Sequence, residues 1–202
     1  MIHENAWTTY SDSDIRELEK LSADYISFIN NGKTERECAD QLVAMAKEHG
    51  YRDLADIIAK GEKLSKGDKV YAVNMGKMVM MLNIGEDIVN DGMNILGAHI
   101  DSPRLDLKQN PLYESDELAY FDTHYYGGIK KYQYVTMPLA LHGVVVKKDG
   151  SKVTVNIGEK DDDPVFIISD ILIHLAADQI TGGQRIAVAG GVAADAVADA
   201  AD

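Results

Sequence analysis

The amino-acid sequence predicts an α/β fold in which helices come first and strands follow. Before residue 61, apolar residues recur every three or four positions, which is the period of an amphipathic helix. From residue 69 to residue 98, short apolar runs bounded by turn residues indicate strands. A later pair of apolar runs, 139–147 and 152–157, flanks Asp149-Gly150 and indicates a hairpin. We therefore expect a layered domain followed by a β-rich segment.

Composition and charge exclude several classes of protein. The 202 residues are 46% hydrophobic and 26% charged, which is the balance of an ordinary globular chain. The formal net charge of −13 repels phosphate backbones, so no nucleic acid is expected as a partner. No apolar run approaches the roughly 20 residues of a membrane helix, and the N-terminus lacks signal-peptide character, so no membrane partner is expected. The single cysteine, Cys38, cannot form an internal disulfide, which favours the cytoplasm.

The N-terminal helices are predicted from their first turns. Ser11 is followed three residues later by Asp14, and Thr34 by Glu37, and each pair is the pattern of a capping box. A third, shorter helix is predicted over 54–59.

Strands are predicted next. Segments 69–74 and 77–83 are separated by Met75-Gly76, which predicts a tight hairpin. Asp91-Gly92 introduces a third apolar strand, predicted over 93–98. If the domain is only part of a larger one, this sheet is expected to expose an unpaired apolar edge.

The second half of the chain reads as turns and β structure. Pro111, Glu114 and Asp116 predict an irregular segment at a boundary between structural units. Asp149-Gly150 is expected to form a type I′ turn, because this dipeptide tolerates positive φ angles. The acidic run 161–163 lacks the spacing of a calcium loop and is expected to be a solvated turn.

His99 and Asp101 form the most informative candidate site. An apolar strand ends and at once presents a histidine, with an aspartate two residues later. A neutral imidazole is a good zinc ligand, and a carboxylate that accepts its other N–H fixes the tautomer. The spacing alone favours a simpler interpretation, in which His99 is a hydrogen-bonded histidine and Asp101 caps the following turn.

Three other histidines have surroundings that allow different roles. His124 precedes two tyrosines and a glycine pair, which suits either a pocket or, more simply, a strand junction. His142 lies in an apolar strand and is expected to be a hydrogen-bonded structural residue. His174 follows Ser169 on a predicted short helix, where it is either packed or part of a shared interface. The sequence contains no nucleophile elbow, phosphate-binding loop or dinucleotide fingerprint.

Several runs, taken in order, resemble the aspartyl aminopeptidase/aminopeptidase I family of zinc metallopeptidases, and its bacterial branch in particular. The likeness extends from about Tyr25 to Gln179. The runs that carry it are GAHIDSPRL (97–105), THYYGGIKKYQ (123–133), PLALHG (138–143), PVF (164–166), SDIL (169–172) and HLA (174–176).

The resemblance implies a fold and an activity. The fold is a partial three-layer zinc-peptidase domain over 1–108, followed by part of an inserted β-rich dimerisation domain over 109–181, with 182–202 as an atypical Ala/Gly-rich tail. The activity is release of acidic or neutral N-terminal residues from peptide substrates. Two zinc ions per active site would polarise the scissile carbonyl and supply hydroxide near neutral pH, and other divalent metals could replace them. A homo-oligomer formed through the β-rich domain is also implied.

The resemblance also assigns roles to three residues. His99 matches the family's first zinc ligand, and Asp101 matches the aspartate that orients this ligand. His174 matches a dimerisation-domain histidine that reaches a neighbouring subunit's active site.

The departure from the family is equally informative. Members are more than twice this length, and their other metal ligands and catalytic glutamate follow the inserted domain. Here no Glu-Glu pair occurs, and no glutamate follows Glu159. Because a catalytic zinc usually needs three protein ligands, this chain is expected to be an N-terminal portion that is inactive alone. The alternative is a non-catalytic dimerisation or assembly module built on the strands within 139–157.

Overall fold

The structure is a computed structural model that describes residues 5–115, 117–170, Leu172, His174 and 192–194. It divides into two compact units, residues 1–101 and residues 102–202. The fold is mixed α/β, as predicted, with small sheets. No described helix has the length and apolar character that a membrane span requires.

The first unit begins with helices whose starts follow the predicted caps. In both capping boxes the hydroxyl of the first residue accepts a hydrogen bond from the backbone N–H of the acidic residue. The carboxylate of the acidic residue accepts a hydrogen bond from the backbone N–H of the first residue. These pairs are Ser11 with Asp14 and Thr34 with Glu37, as predicted. The helices are α1 (Asp12–Asn31), α2 (Glu35–Glu48), α3 (Leu54–Lys60) and the single turn α4 (Ile88–Asp91).

A three-stranded sheet follows α2 in the first unit. Strand β1 (Arg52–Asp53) pairs in parallel with β2 (Lys69–Asn74), which pairs antiparallel with β3 (Met78–Asn83). The predicted hairpin is confirmed. Met75 and Gly76 both have positive φ, 53° and 67°, as a type I′ turn requires. Buried side chains from the helices and from β2 form this unit's core: Cys38, Ala39, Ala46, Ile57, Val70 and Tyr71.

The predicted strand over 93–98 is wrong. These residues form no strand, and their large side chains lie in solvent: Ile95 is 80% exposed and Leu96 is 99% exposed. An extended apolar segment becomes a strand only when a neighbour supplies backbone hydrogen bonds, and no described strand pairs with this one. Strand β3 is likewise an edge of its sheet in the described part, with Met78 and Met80 about half exposed.

In the described part of the second unit, the regular secondary structure is almost all β strand. Its main sheet has the strand order β4-β5-β9-β8, and β6 pairs with β7 in a separate two-stranded hairpin. Buried Phe166 and Ile168 form its core, against Leu105, Phe121 and Tyr134 among others. The strands are β4 (Arg104–Ser115), β5 (Leu118–Tyr126), β6 (Leu141–Val146), β7 (Lys152–Ile157), β8 (Phe166–Ile168) and β9 (Val192–Ala194).

The prediction of an irregular segment around Pro111 is also wrong. Residues 104–115 form one strand, and the pairing register with β5 shifts between Leu107 and Leu112. Proline is tolerated in a sheet at such a bulge, where no ladder hydrogen bond is required from it. The domain boundary expected after residue 108 lies inside β4. The first compact unit ends at Asp101. The limits of the two family domains remain a prediction.

The hairpin of β6 and β7 is confirmed, but its turn differs from the expected type. Gly150 has a φ of 83°, whereas Asp149 is not among the residues with positive φ. The Gly150 N–H donates to the Lys147 carbonyl at 2.9 Å. This is the geometry of a type I turn closed by a left-handed glycine, the usual three-residue hairpin loop. Asp149 instead accepts hydrogen bonds from the backbone and hydroxyl of Ser151.

The acidic run 161–163 is a turn, as predicted, and only one of its carboxylates is held by the backbone. Asp163 accepts the N–H groups of Gly158 and Lys160 at 3.0 and 3.2 Å. The helix predicted after Ser169 and the atypical tail over 182–202 lie outside the described residues, apart from Leu172, His174 and 192–194.

Candidate metal site

His99 and Asp101 lie together at the end of the exposed segment that follows α4. The imidazole Nδ1 is 3.0 Å from the Asp101 carboxylate Oδ1 and 2.9 Å from the Asp101 carbonyl oxygen. Because both neighbours of Nδ1 are acceptors, we assign the proton of the neutral ring to Nδ1. The other nitrogen, Nε2, then carries a lone pair. With 82% of the side chain exposed, Nε2 is accessible to a metal ion.

The described residues supply one candidate metal ligand rather than a complete site. Within them, no group of three histidine, cysteine, aspartate or glutamate side chains is arranged to hold a metal ion. A catalytic zinc usually has three protein ligands and an open position for water. The donor chemistry of His99 therefore fits zinc, and the completed coordination sphere needs further ligands.

Arg104, to which the sequence pattern assigns no role, fixes the chain immediately after Asp101. Arg104 Nε donates to the Asp106 carboxylate at 2.7 Å, and its Nη1 donates to the Ser102 carbonyl at 3.3 Å. The guanidinium also lies over the Tyr126 ring, 4.3 Å from its centroid, in a cation–π contact. The sequence signal was present, because Arg104 and Asp106 lie two apart on one face of a strand.

Gly127, the first glycine after β5, has a structural role beside the same segment. A Cβ at Gly127 would lie 3.4 Å from Pro103, and its φ of 71° is a conformation that side chains rarely adopt. Pro103 therefore packs against the end of β5. Together with the Arg104 contacts, this packing holds residues 102–104 against the β4–β5 pair.

The other histidines fall in different settings. His142 Nε2 lies 2.8 Å from Glu159 Oε1, and its side chain is only 10% exposed, so the predicted structural histidine is confirmed. His124 lies in β5, just before the glycine pair, and it also lines a cleft together with Tyr125, so the structure agrees with both the strand junction and the pocket. His174 is exposed, and its role remains a prediction.

Cys38 is a structural residue rather than a nucleophile. It is buried at the start of α2, and its thiol donates to the Gly32 carbonyl at 3.5 Å. Burial raises the pKa of the thiol, and the carboxylates of Glu37 and Glu35 raise it further. A thiol with a raised pKa is a poor source of the reactive thiolate.

Comparison with known proteins identifies the family. The model of the family described as "Aminopeptidase I zinc metalloprotease (M18)" matches residues 28–185. The protein named "Probable M18 family aminopeptidase 1" from Clostridium acetobutylicum is 58% identical over 178 residues, covering 88% of this chain and 38% of that protein. The crystal structure of the Clostridium acetobutylicum aminopeptidase I superposes with a TM-score of 0.75 at 58% identity, over 89% of this chain and 40% of that one. An M18 aminopeptidase structure from Thermotoga maritima gives a TM-score of 0.84 at 37% identity, over 95% and 41%.

The chain therefore belongs to the aminopeptidase I zinc metalloprotease family, and the predicted resemblance is confirmed. It spans about two-fifths of the length of the relatives that it matches.

Proposed function

We propose that this chain contributes to a zinc-dependent aminopeptidase that releases acidic or neutral N-terminal residues from peptides. The observation that carries the proposal is the His99–Asp101 pair, which lies within the segment matched by the family model and presents one ring nitrogen to solvent. His99 binds zinc through Nε2. Asp101 acts as a positioning residue, because its carboxylate holds the Nδ1 proton and fixes the ring.

The complete site holds two zinc ions per active site in this proposal, and other divalent metals can replace them under assay conditions. The exposure of His99 supports this role, because a metal ion and its other ligands must be able to approach the imidazole. These 202 residues alone are inactive, because the described part holds no second and third ligand beside His99.

We further propose that the β-rich segment over 109–181 is a dimerisation domain and that the protein is a homo-oligomer. Its hairpin leaves apolar side chains in solvent, with Val145 54% and Val146 59% exposed. Covering such a surface with a second copy would remove apolar area from water. His174 would then serve a neighbouring subunit's active site. The single cysteine supports a location in the reducing cytoplasm.

A hybrid enzyme tests the proposed activity. Residues 1–179 of this chain replace the matching segment of the Clostridium acetobutylicum relative, with which it shares 58% identity. The hybrid and the unmodified relative are assayed on aspartyl, glutamyl and leucyl chromogenic amides, with and without a chelator. We expect chelator-sensitive turnover by the hybrid, and its loss in His99→Ala. A folded hybrid that is inactive beside an active relative, or a His99→Ala hybrid of full activity, would contradict the proposal.

The alternative function, a non-catalytic assembly module, is favoured by the same exposed hairpin. Sedimentation of the 202-residue chain after chelator treatment distinguishes the two. A stable dimer without bound metal, together with an inactive hybrid, would favour the module.

A further inference from the structure

The second unit contains a cleft of about 180 Å³ whose residues have no part in the candidate metal site. It is formed entirely within this unit, between β4, β5, Ile168 of β8 and the short 3-10 turn Lys131–Gln133. Its apolar lining consists of Leu105, Ile129 and Ile168. An apolar lining of this kind accommodates a small aliphatic or aromatic group.

Polar and aromatic side chains complete the lining. Thr123 and Tyr125 come from β5, and Tyr134 follows the 3-10 turn. Thr123 and Tyr134 are half-buried and add hydroxyl groups, which can donate hydrogen bonds to an anion. On the same strand, the Nδ1 atom of His124 lies 3.2 Å from the carbonyl oxygen of Tyr125.

The charge in the cleft is opposite to that of the chain. Lys108 forms an ion pair with Asp122 at 2.9 Å, so these two charges neutralise each other. Lys131 is half-buried, and its ammonium lies 4.8 Å from the centroid of the Tyr125 ring. Among the described residues, no carboxylate forms an ion pair with Lys131. In a chain of net charge −13, the described structure thus places a cation without an ion-pair partner inside a half-apolar cleft.

We propose that this cleft binds a carboxylate attached to an apolar side chain. The carboxylate pairs with the Lys131 ammonium, and the side chain contacts Leu105, Ile129 and Ile168. Partial burial of Lys131 strengthens this pairing, because the ion pair is screened less than it would be on an open surface. A free apolar amino acid and the C-terminus of a peptide both carry this chemistry.

The test is a titration of the 202-residue chain with N-acetyl-L-leucine as the probe. NMR chemical shifts of the protein report the binding. Its amide, N-acetyl-L-leucinamide, lacks the charge, and acetate lacks the side chain. We expect binding of N-acetyl-L-leucine that is about tenfold or more tighter than that of either analogue. Equal binding of the amide or of acetate would overturn the proposal, as would no saturable binding of N-acetyl-L-leucine.

A matched pair of variants locates the binding. Lys131→Met removes the cation and keeps much of the aliphatic stem, whereas Lys130→Met changes an exposed neighbour outside the cleft. We expect Lys131→Met to weaken binding about tenfold or more and Lys130→Met to leave it unchanged. An unchanged affinity in folded Lys131→Met would overturn the assignment.

Two further probes identify the source of the carboxylate. L-leucine has a charged amino group beside its carboxylate, whereas Ala-Ala-Leu has a peptide bond there. Tighter binding of Ala-Ala-Leu than of its C-terminal amide and of leucine indicates a peptide C-terminus, and tighter binding of leucine indicates a free amino acid. These outcomes are independent of the proposed aminopeptidase, because no probe requires zinc or His99.

Discussion

The carboxylate of Asp101 lies 3.0 Å from the Nδ1 atom of His99 and leaves the opposite ring nitrogen facing solvent. The carbonyl oxygen of Asp101 lies equally near Nδ1, at 2.9 Å. The ring is therefore held by two acceptors of one residue, and only one of them is lost on side-chain substitution. This geometry limits the loss of zinc affinity that is expected when the Asp101 side chain is removed.

Asp101→Ala is predicted to weaken zinc binding by the hybrid enzyme about tenfold, the lower end of the usual effect of losing a carboxylate behind a histidine ligand. The effect stays small because the backbone carbonyl still accepts the Nδ1 proton. The measurement is a competition titration against a chromophoric chelator, with circular dichroism to confirm folding. Asp162→Ala, which removes an exposed carboxylate from a turn, is the control. An Asp101→Ala affinity equal to that of the control would show that the carboxylate does not support the ligand.

Met75→Asn is predicted to stabilise the first unit by about 1 kcal/mol. Met75 has a φ of 53°, a left-handed conformation that costs most side chains about 1 kcal/mol or more and that asparagine adopts more readily. Little packing is lost, because Met75 is 82% exposed, and its carbonyl can still accept the Arg36 guanidinium. Urea unfolding measures the change. Met93→Asn, at an exposed methionine without positive φ, should give no such gain, and equal gains from both variants would point to solubility rather than turn geometry.

Asp163→Asn is predicted to lower the melting temperature near neutral pH and to have a smaller effect in acid. The Gly158 and Lys160 backbone N–H groups hold the pKa of the Asp163 carboxyl below its ordinary value of 3.8. A lowered pKa in the folded state stabilises it above about pH 3.8, and this contribution disappears as the pH falls through the lowered pKa. Melting curves of both proteins across this range provide the measurement. A Tm difference that stays constant down to the lowest pH would contradict the role of the charge.

Hydrogen exchange of the 202-residue chain is predicted to give different exchange rates for two apolar segments of similar composition. The paired amides of β2 and β3 should be protected, whereas those of 93–98 should exchange rapidly, because their backbone forms no strand in the described structure. Uniform protection from residue 69 to residue 98 would show that the second segment has found a partner strand.

The sequence predicted those features that depend on neighbouring residues. The capping boxes at Ser11 and Thr34 and the hairpin at Met75-Gly76 all follow from local backbone chemistry. The errors concern pairing between distant segments. Residues 93–98 have strand composition without a described partner. Pro111 predicts a break in the chain, although a bulge accommodates it within β4.

The candidate site shows the same division. The contact between His99 and Asp101 follows from one short motif, whereas their proposed roles come from the ordered resemblance to the family and not from the spacing. The Arg104–Tyr126 contact depends on the register between β4 and β5, which the sequence alone did not specify. The ion pair between Lys108 and Asp122 depends on the same pairing, and Lys131 is the cleft cation that has no ion pair among the described residues.

The most direct test of the central claim is hydrolysis of aspartyl, glutamyl and leucyl chromogenic amides by the 202-residue chain itself, with added zinc or cobalt and a chelator control. The claim is that His99 is one ligand of a site that the described residues do not complete. We predict no chelator-sensitive turnover from the chain alone, beside clear turnover by the hybrid enzyme. Chelator-sensitive hydrolysis by the chain alone would contradict the claim, since the missing ligands would then lie within these residues or across an interface between copies.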